Sequence, residues 1–545
     1  MQPALTSPSR AAVRVASLAM LPAIASAGLV GGIVTPSVAA ESIQVSVDPS
    51  RAGAKIDRNI FGQFAEHLGH GIYEGVWVGP DSRIPNTRGI RNDVVAALKA
   101  LKVPNVRWPG GCFADEYHWR KGIGPADERV VTLNPNWGGV IEPNSFGTHE
   151  FMDFLDQIGA EAFVSVNVGS GTPQEAAEWL EYLTTEQPTA LAKERAANGH
   201  PAPYKVAYLG IGNESWDCGG NMTPAYYLSQ LGIYSRFVRN FSPEQRQDKH
   251  RMLKIAVGPG GDGPRWTEWT EAVMKTWQDR TWSFDFDGLS LHNYTVVKWP
   301  PAYQSTSFGE AEYSQILKST LEMDRIIATH SAIMDKYDPQ KKVALVVDEW
   351  GAWYAPLPGT DPGFLVQQNS LRDAILAALN LNVFVRHADR VRGANIAQMV
   401  NVLQAMVMTD GEKMLLTPSY HAFRMYVPFQ DASFVPVTYD AGRYAHGEIS
   451  LPRVDVIAAK DAAGKLWLAV TNLDANRSVE AEVSLTGVTA RSAVGETLTA
   501  ASVDSVNSFE APHSVVPKPI SAEARGGRVV LKLEPKSVTV VSLGH

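Results

Sequence analysis

Short apolar runs recur between residues 60 and 400, and stretches with apolar residues at helical spacing separate them. A run without polar alternation is typical of a strand that is buried on both faces, as in a parallel sheet. The strand candidates are Ile60–Glu66, Val103–Trp108, Ala162–Val168, Val206–Asn213, Ile255–Gly258, Gly288–His292, Val343–Glu349 and Ala394–Gln398. The helix candidates are Thr148–Ile158, Pro173–Leu183, Pro224–Phe241 and Gln367–Phe384. Eight such units predict an α/β fold, a (β/α)8 TIM barrel enlarged by loops.

After about Phe429 the pattern changes to short β-rich segments that Gly, Asp and Asn turns separate. Such spacing predicts an all-β sandwich, of a jelly-roll-like kind, behind the barrel. The alternating segment Ile43–Val47 has the pattern of one more half-buried strand. We therefore expect residues 41–56 to join the C-terminal sandwich (432–545), with the catalytic barrel over 57–431.

The first forty residues differ from the rest of the chain. Arg10 and Arg14 precede an alanine-rich apolar stretch, and Val38–Ala40 closes it with small residues. This pattern predicts a secretory signal peptide over residues 1–40, hence a periplasmic or extracellular protein with no membrane contact after cleavage. A retained anchor is the alternative, which Pro22 and the many small residues disfavour.

Composition excludes several classes of function. The chain has 545 residues, 45% hydrophobic and 19% charged, as expected for a soluble protein with two domains. Its net charge of -8 leaves no basic stripe for nucleic acid. The only cysteines, Cys112 and Cys218, cannot form a disulfide framework or a cysteine-based zinc site. The histidines at 67 and 70 match no strong zinc motif either, so we predict no metal.

Two glutamates, Glu214 and Glu349, stand at the ends of the fourth and seventh predicted strands. A single glutamate after an apolar run is usually a solvated strand end. A pair on one barrel is different, because catalytic groups of barrel enzymes lie at the carboxyl ends of strands. Glycoside hydrolysis needs one carboxylic acid and one carboxylate facing a common pocket. The pair therefore indicates a glycoside hydrolase.

Further polar and aromatic groups follow the predicted strands. The polar candidates for binding sugar hydroxyls are Glu66, Arg107, Asn213, His292, Tyr294 and Gln398. The aromatic candidates for walls of the pocket are Trp137, Trp216, Trp299, Trp353 and Tyr354. Carboxylates, amides and aromatic rings together are typical of a carbohydrate pocket.

Four long motifs make the interpretation specific. They are Arg-Trp-Pro-Gly-Gly-Cys-Phe-Ala-Asp-Glu-Tyr-His-Trp from Arg107, Gly-Asn-Glu-Ser-Trp-Asp-Cys-Gly-Gly-Asn-Met from Gly212, Asp-Glu-Trp-Gly from Asp348 and Ala-Asn-Ile-Ala-Gln-Met-Val-Asn from Ala394. In this order they closely resemble the α-L-arabinofuranosidases of glycoside hydrolase family 51. The resemblance covers nearly all of the chain after residue 40.

The resemblance implies an exo-acting enzyme that retains anomeric configuration, with Glu214 as acid/base and Glu349 as nucleophile. Their carboxyl groups should then lie about 5 to 5.5 Å apart. The implied substrates are terminal or branch L-arabinofuranose units of arabinoxylan, arabinan or derived oligosaccharides. It also implies a homo-oligomer such as a hexamer, and the two-carboxylate reaction needs no cofactor. The alternatives are a β-xylosidase or endoglucanase of the same clan, or an inactive carbohydrate-binding protein.

By the same resemblance the substrate-binding residues are Glu66, Arg107, Cys112, Asn213, His292, Tyr294 and Gln398. Cys112 stands where some family members carry asparagine, whose paired hydrogen bonds a thiol cannot replace. A disulfide between Cys112 and Cys218 beside the pocket is one hypothesis. Two separate buried thiols are the other.

Overall fold

Eight parallel strands of the described chain close into a barrel in the computed structural model, which describes residues 41–247, 250–280 and 285–545. In chain order the barrel strands are Gly62–Phe64, Asn105–Trp108, Glu161–Val166, Tyr208–Ile211, Leu253–Ala256, Gly288–Thr295, Ala344–Ala352 and Val391–Ile396. Each pairs with its neighbours in sequence, and the eighth pairs with the first. The predicted barrel is confirmed, and the signal peptide predicted over residues 1–40 lies outside the described residues.

Helices follow the strands along the barrel. The α-helices of the described residues are Asn92–Ala100, Thr148–Ile158, Pro173–Thr184, Ala190–Ala197, Pro224–Phe237, Pro264–Asp279, Glu310–Tyr337, Leu371–Arg386 and Pro418–Tyr426. Two of the predicted starts are sharp because Thr172 and Thr223 cap the first turn and proline occupies the next position. None of these helices combines the length and the apolar character needed to cross a bilayer.

Ten strands form the C-terminal all-β region. In sheet order they are Ser433–Val435, Val454–Lys460, Leu466–Asn472, Ser537–Gly544, Ser492–Leu498, Lys518–Arg525, Arg528–Leu533, Val479–Leu485, Glu41–Val47 and Val437–Tyr439. Side chains from both ends of this sheet, such as Val456 and Val45, share one apolar core. The sheet therefore folds over on itself in two layers. The strand Glu41–Val47 runs parallel to Val479–Leu485.

Helix Leu371–Arg386 lies between barrel and sandwich. All of its residues except the last are buried, which explains why it is apolar around most of its circumference. Asp455 of the sandwich accepts hydrogen bonds from Asn382 Nδ2 and Arg386 Nη1, each at 2.8 Å. This contact fixes the all-β region on one side of the barrel.

The loops add four short hairpins. They pair Asn86–Thr87 with Ile90–Arg91, Thr132–Asn134 with Val140–Glu142, Val407–Asp410 with Lys413–Leu416, and Tyr444–His446 with Ile449–Leu451. The second of these follows the second barrel strand and carries Trp137 in its turn. It brings an aromatic ring to the carboxyl end of the barrel.

Candidate active site

Glu214 and Glu349 face each other at the carboxyl end of the barrel. Glu214 follows the fourth strand, and Glu349 lies within the seventh. One carboxylate oxygen of each lies within 4.8 Å of the other, with His292 Nδ1 in the same cluster. The pocket above them is lined by Glu66, Leu68, Gly111, Cys112, Trp137, Asn213, Glu214, Tyr294, Glu349, Trp353, Leu365, Gln398 and Leu403.

Glu349 is held on both oxygens. Arg107 Nη1 donates to Oε1 at 2.9 Å, and the Tyr294 hydroxyl donates to Oε2 at 2.7 Å. Burial alone would lower the pKa of Arg107, but Asp348 and Glu349 outweigh burial and raise it. Arg107 is therefore a permanent cation, and it shares the hydrogen bonding of the Glu349 carboxylate with the Tyr294 hydroxyl.

Glu214 has a different setting. Its backbone is in the left-handed region, with φ of 38°, which costs energy for a residue with a Cβ. Oε1 lies 2.8 Å from His292 Nδ1, and Oε2 lies 3.8 Å from Cys218 Sγ. Burial raises the pKa of Glu214, and the nearby carboxylate of Glu349 adds to the rise against the opposing effect of His292. Such a carboxyl group is suited to hold a proton.

His292 lies behind the two glutamates and not on the pocket surface. Its Nδ1 is 3.5 Å from Glu349 Oε2, and its Nε2 is 3.3 Å from Asp348 Oδ1. Its ring is only 5% exposed. Glu214, Glu349 and Asp348 surround the ring nitrogens, and the sugar contact of His292 stays a prediction. Arg107 likewise lies beneath the pocket, where it is 1% exposed.

Glu66 and Gln398 form the opposite wall. Glu66 Oε1 accepts hydrogen bonds from Phe113 N and Trp137 Nε1, and Oε2 accepts one from Gln398 Nε2 at 3.0 Å. Burial, together with the charge of Glu349, raises the pKa of Glu66 to about 7. The amide oxygen of Gln398 is buried without a hydrogen-bond partner. It therefore has an acceptor position that no described residue fills.

Asn213 is fixed on both its side chain and its backbone. Its Oδ1 accepts a hydrogen bond from Arg107 Nη2 at 2.5 Å, which leaves Nδ2 toward the pocket beside Cys218. Its backbone N–H donates to Asp115 Oδ2 at 2.9 Å, and Asp115 Oδ1 accepts two more backbone N–H groups, from Val168 and Gly169. Burial raises the pKa of Asp115 to about 7. Asp115 thus ties together the loops after strands two, three and four.

Cys112 and Cys218 are joined by a disulfide, with Cα atoms 5.5 Å apart. The bond links the loops after the second and fourth strands, and Cys112 forms part of the pocket wall. The preceding Gly111 has no room for a side chain, because a Cβ there would lie 2.9 Å from Glu349 Oε1. The Gly-Gly-Cys sequence therefore lets the loop approach the carboxylate closely.

The aromatic candidates fall into three groups. Trp137 and Trp353 line the pocket. Trp216 packs against Trp266, and Tyr354 is buried with its hydroxyl on Asp373, so neither forms the wall. Trp299 is 57% exposed and meets Trp353 edge to face, with ring centroids 5.1 Å apart. Leu68, Leu365 and Leu403 also line the pocket. The sequence did not predict them as pocket residues, because apolar residues in loops cannot be distinguished by pattern from core residues.

Known proteins match the chain over most of its length. Residues 97–258 match the profile of the α-L-arabinofuranosidase 1 domain, and residues 348–537 match that of the α-L-arabinofuranosidase C-terminal domain. An intracellular exo-α-L-arabinofuranosidase of Bacteroides ovatus is 44% identical over 93% of this chain and 96% of its own. An intracellular exo-α-(1→5)-L-arabinofuranosidase of Streptomyces lividans is 30% identical over 90% and 74%. The crystal structure of a family 51 arabinofuranosidase from Xanthomonas axonopodis pv. citri superposes with a TM-score of 0.88, at 50% identity, over 92% of this chain and all of that one.

A parallel barrel with two facing carboxylates at its carboxyl end defines a glycoside hydrolase. The relatives narrow the class, and the chain belongs to the α-L-arabinofuranosidases of glycoside hydrolase family 51. This confirms the family that the four motifs predict. The alternatives of a β-xylosidase, an endoglucanase or an inactive binding protein have no comparable support.

The prediction of a secreted protein is wrong. The relatives from Bacteroides ovatus and Streptomyces lividans are both named intracellular enzymes. The prediction depended only on the apolar pattern of residues 1–40, which lie outside the described residues. Apolar, alanine-rich composition after two arginines is too general a pattern to establish export against these relatives.

Proposed function

We propose that the protein is an exo-acting, retaining α-L-arabinofuranosidase in which Glu349 is the nucleophile and Glu214 the acid/base. The observation that carries the proposal is the contrast between two carboxyl groups within 4.8 Å of each other. Glu349 is held by a cation and a hydroxyl, whereas burial favours the protonated form of Glu214. Retaining enzymes keep their carboxyl groups about 5–5.5 Å apart, and inverting enzymes about 6.5–9.5 Å.

In the first step an oxygen of Glu349 attacks the anomeric carbon C1 of the arabinofuranosyl unit. The bond from C1 to the leaving oxygen breaks, and that oxygen takes the proton of Glu214. The products of this step are an arabinosyl ester on Glu349 and an ionised Glu214. Tyr294 and Arg107 hold Glu349 in the line of attack before the reaction begins.

In the second step Glu214 removes a proton from a water molecule, and the water oxygen attacks C1. The ester bond breaks, its electron pair returns to Glu349, and Glu214 is again protonated. Two successive inversions at C1 release arabinose with the α configuration of the substrate. Both enzyme groups end the cycle in the state in which they began.

A narrow pocket supports exo action on a single terminal or branch unit. Trp137 and Trp353 form walls, and Glu66, Asn213 and Gln398 offer polar atoms toward the space between them. We propose arabinoxylan, arabinan and their oligosaccharides as sources of such units. The name exo-α-L-arabinofuranosidase of the Bacteroides ovatus relative supports the same mode of action. The homo-oligomer remains a prediction that light scattering coupled to gel filtration tests.

The test is the anomeric configuration of the arabinosyl azide that two variants form from 2,4-dinitrophenyl α-L-arabinofuranoside when azide is added. In Glu214→Ala the ester on Glu349 still forms, and azide should intercept it to give the α-azide. In Glu349→Ala azide should take the place of the nucleophile and give the β-azide. Proton NMR identifies each product.

The wild-type enzyme provides the matching measurement, since its first free arabinose should be the α anomer before mutarotation. Glu412→Ala, which removes an exposed carboxyl group from the distant hairpin turn, is the control and should form neither azide. An initial β anomer from the wild type would overturn retention. Azides of the opposite configurations would reverse the two assigned roles.

A further inference from the structure

Asp348, directly before Glu349, faces the same site as its neighbour. Alternate side chains of a regular strand point to opposite faces, so one of the two should turn away. The pairing of the sixth and seventh strands explains why both side chains face the site. Between Ser290 and His292 of the sixth strand, the seventh strand advances from Val346 to Glu349, one residue more. Against the eighth strand the seventh again has one extra residue, since Val347 to Trp350 pairs with Ala394 to Ile396. This bulge turns both carboxylates inward.

The bulge places Asp348 between Arg107 and His292. Its Oδ2 lies 3.3 Å from Arg107 Nε, and its Oδ1 lies 3.3 Å from His292 Nε2. Asp348 is 4% exposed, so its charge has almost no water to stabilise it. A buried carboxylate requires a charged or hydrogen-bonding partner. Arg107 is one such partner, and a protonated His292 would be the second.

His292 in turn connects Asp348 with the catalytic pair. Its Nδ1 lies 2.8 Å from Glu214 Oε1 and 3.5 Å from Glu349 Oε2. The titratable groups at its ring nitrogens are Asp348 and Glu349 from the seventh strand and Glu214 from the loop after the fourth, all of them acids. Beyond them, Arg107 of the second strand faces Asp348 and Glu349, and Tyr294 of the sixth strand bonds Glu349. Burial works against the charged ring, but Glu349 and Asp348 outweigh it and raise the pKa of His292 to about 10.

We propose that Asp348 is a positioning residue that keeps His292 as an imidazolium, with its Nδ1–H directed at Glu214 throughout the catalytic cycle. The proposal rests on the acid/base role of Glu214. With both ring nitrogens protonated, His292 cannot take the proton of Glu214, so that proton goes to the leaving oxygen. When Glu214 is ionised between the two steps, the fixed Nδ1–H stabilises its carboxylate.

With this assignment Arg107 and His292 carry two positive charges, Asp348 and Glu349 carry two negative charges, and Glu214 keeps its proton. Asp348 is the carboxylate beside His292 Nε2. Removal of its charge should therefore favour loss of the proton from His292.

The test is an NMR titration of histidine ring signals in protein labelled with ¹³C and ¹⁵N at histidine. The His292→Gln variant identifies the signal of His292. In the wild type that signal should stay at the imidazolium position from pH 5 to 9, whereas in Asp348→Asn it should titrate within this range. The alkaline limb of kcat/KM, where Glu214 loses its proton, should move to higher pH in Asp348→Asn because the neighbouring cation is lost.

Asp115→Asn is the matched control, because Asp115 is an equally buried carboxyl group that bonds backbone N–H groups. It should leave the His292 signal at the imidazolium position. A His292 that titrates near pH 6.5 in the wild type would overturn the proposal even if Asp348→Asn fails to fold, and so would a His292 that stays charged in Asp348→Asn. The azide products test the role of Glu214 separately, so the two failures are distinguishable.

Discussion

The ends of the fourth and seventh barrel strands carry the same side chain in two different settings. Glu349 lies inside a strand, 7% exposed, with Arg107 and Tyr294 on its oxygens. Glu214 lies three residues beyond the end of a strand, 18% exposed, on a strained backbone with His292 as its nearest partner. The first setting favours a fixed anion, and the second favours a group that changes its proton. Position relative to the strand end is thus the structural basis of the division of roles that we propose.

The comparison shows that environment and not residue type assigns the chemistry. A hydrogen-bonded ion pair with an arginine lowers the energy of a carboxylate, whereas burial beside a second carboxylate raises it. Both effects act on carboxyl groups whose oxygens lie within 4.8 Å of each other. Each of the following changes removes one part of this contrast.

The largest effect is expected from Glu349→Ala. Without the nucleophile no ester forms, so kcat/KM should fall by about 10⁵-fold, as for the loss of other covalent nucleophiles. The fall should be similar for 2,4-dinitrophenyl arabinofuranoside and for an arabino-oligosaccharide, because both need the same attack. Steady-state kinetics with the two substrates measures it. A fall confined to the oligosaccharide would contradict the assignment.

Glu214→Ala should lower kcat/KM for one of the two substrates much more than for the other. General acid catalysis contributes about 10²–10⁴-fold, so kcat/KM on the oligosaccharide should fall by that amount. The dinitrophenolate leaving group needs no proton, and kcat/KM on that substrate should change little. A burst of dinitrophenolate followed by a slow phase is expected, because the second step still lacks its base. An equal loss on both substrates would remove the distinction between the two glutamates.

Arg107→Lys keeps the positive charge but removes the two terminal NH₂ groups of the guanidinium, which donate to Glu349 and Asn213. Lysine is a compact point charge, so it cannot bond Glu349 and Asn213 at the same time. We expect kcat/KM to fall about 10²-fold on both substrates, since a small displacement of a reacting group has that cost. Arg129→Lys is the matched control, because Arg129 makes a two-fold contact with Glu150 away from the pocket. It should lower Tm without changing kcat/KM.

The smallest effect on activity is expected from replacing both cysteines with serine. Cys218 Sγ is 3.8 Å from Glu214 Oε2, so any loss should be about three- to tenfold, and larger for the oligosaccharide than for the dinitrophenyl substrate. Stability should fall more clearly, by about 2–4 kcal/mol, as expected for a crosslink across a long loop. Denaturant unfolding measures it. An unchanged midpoint would show that the bond constrains little.

Much of the barrel was predictable because its strands are continuous apolar runs and its helices have helical periodicity. Glu214 and Glu349 were predictable as polar residues at the ends of such runs. The ends of helices were less predictable than their positions. For example, the helix that begins at Pro224 ends at Phe237, although the apolar pattern continues to Phe241. The inward position of Asp348 was not predictable, because a one-residue bulge appears only when the register with both neighbours is known. His292 was found, but its place behind the glutamates depends on packing.

The parallel pairing of Glu41–Val47 with Val479–Leu485 has a consequence for synthesis on the ribosome. The strand's partner leaves the ribosome roughly 430 residues later, which at about 5–20 residues per second is roughly 20–90 s. During this time the first strand has an unpaired edge, and such edges readily join other chains. The barrel is translated within the same interval. The nascent chain must therefore keep this edge of its first strand unpaired until translation has reached the middle of the all-β region.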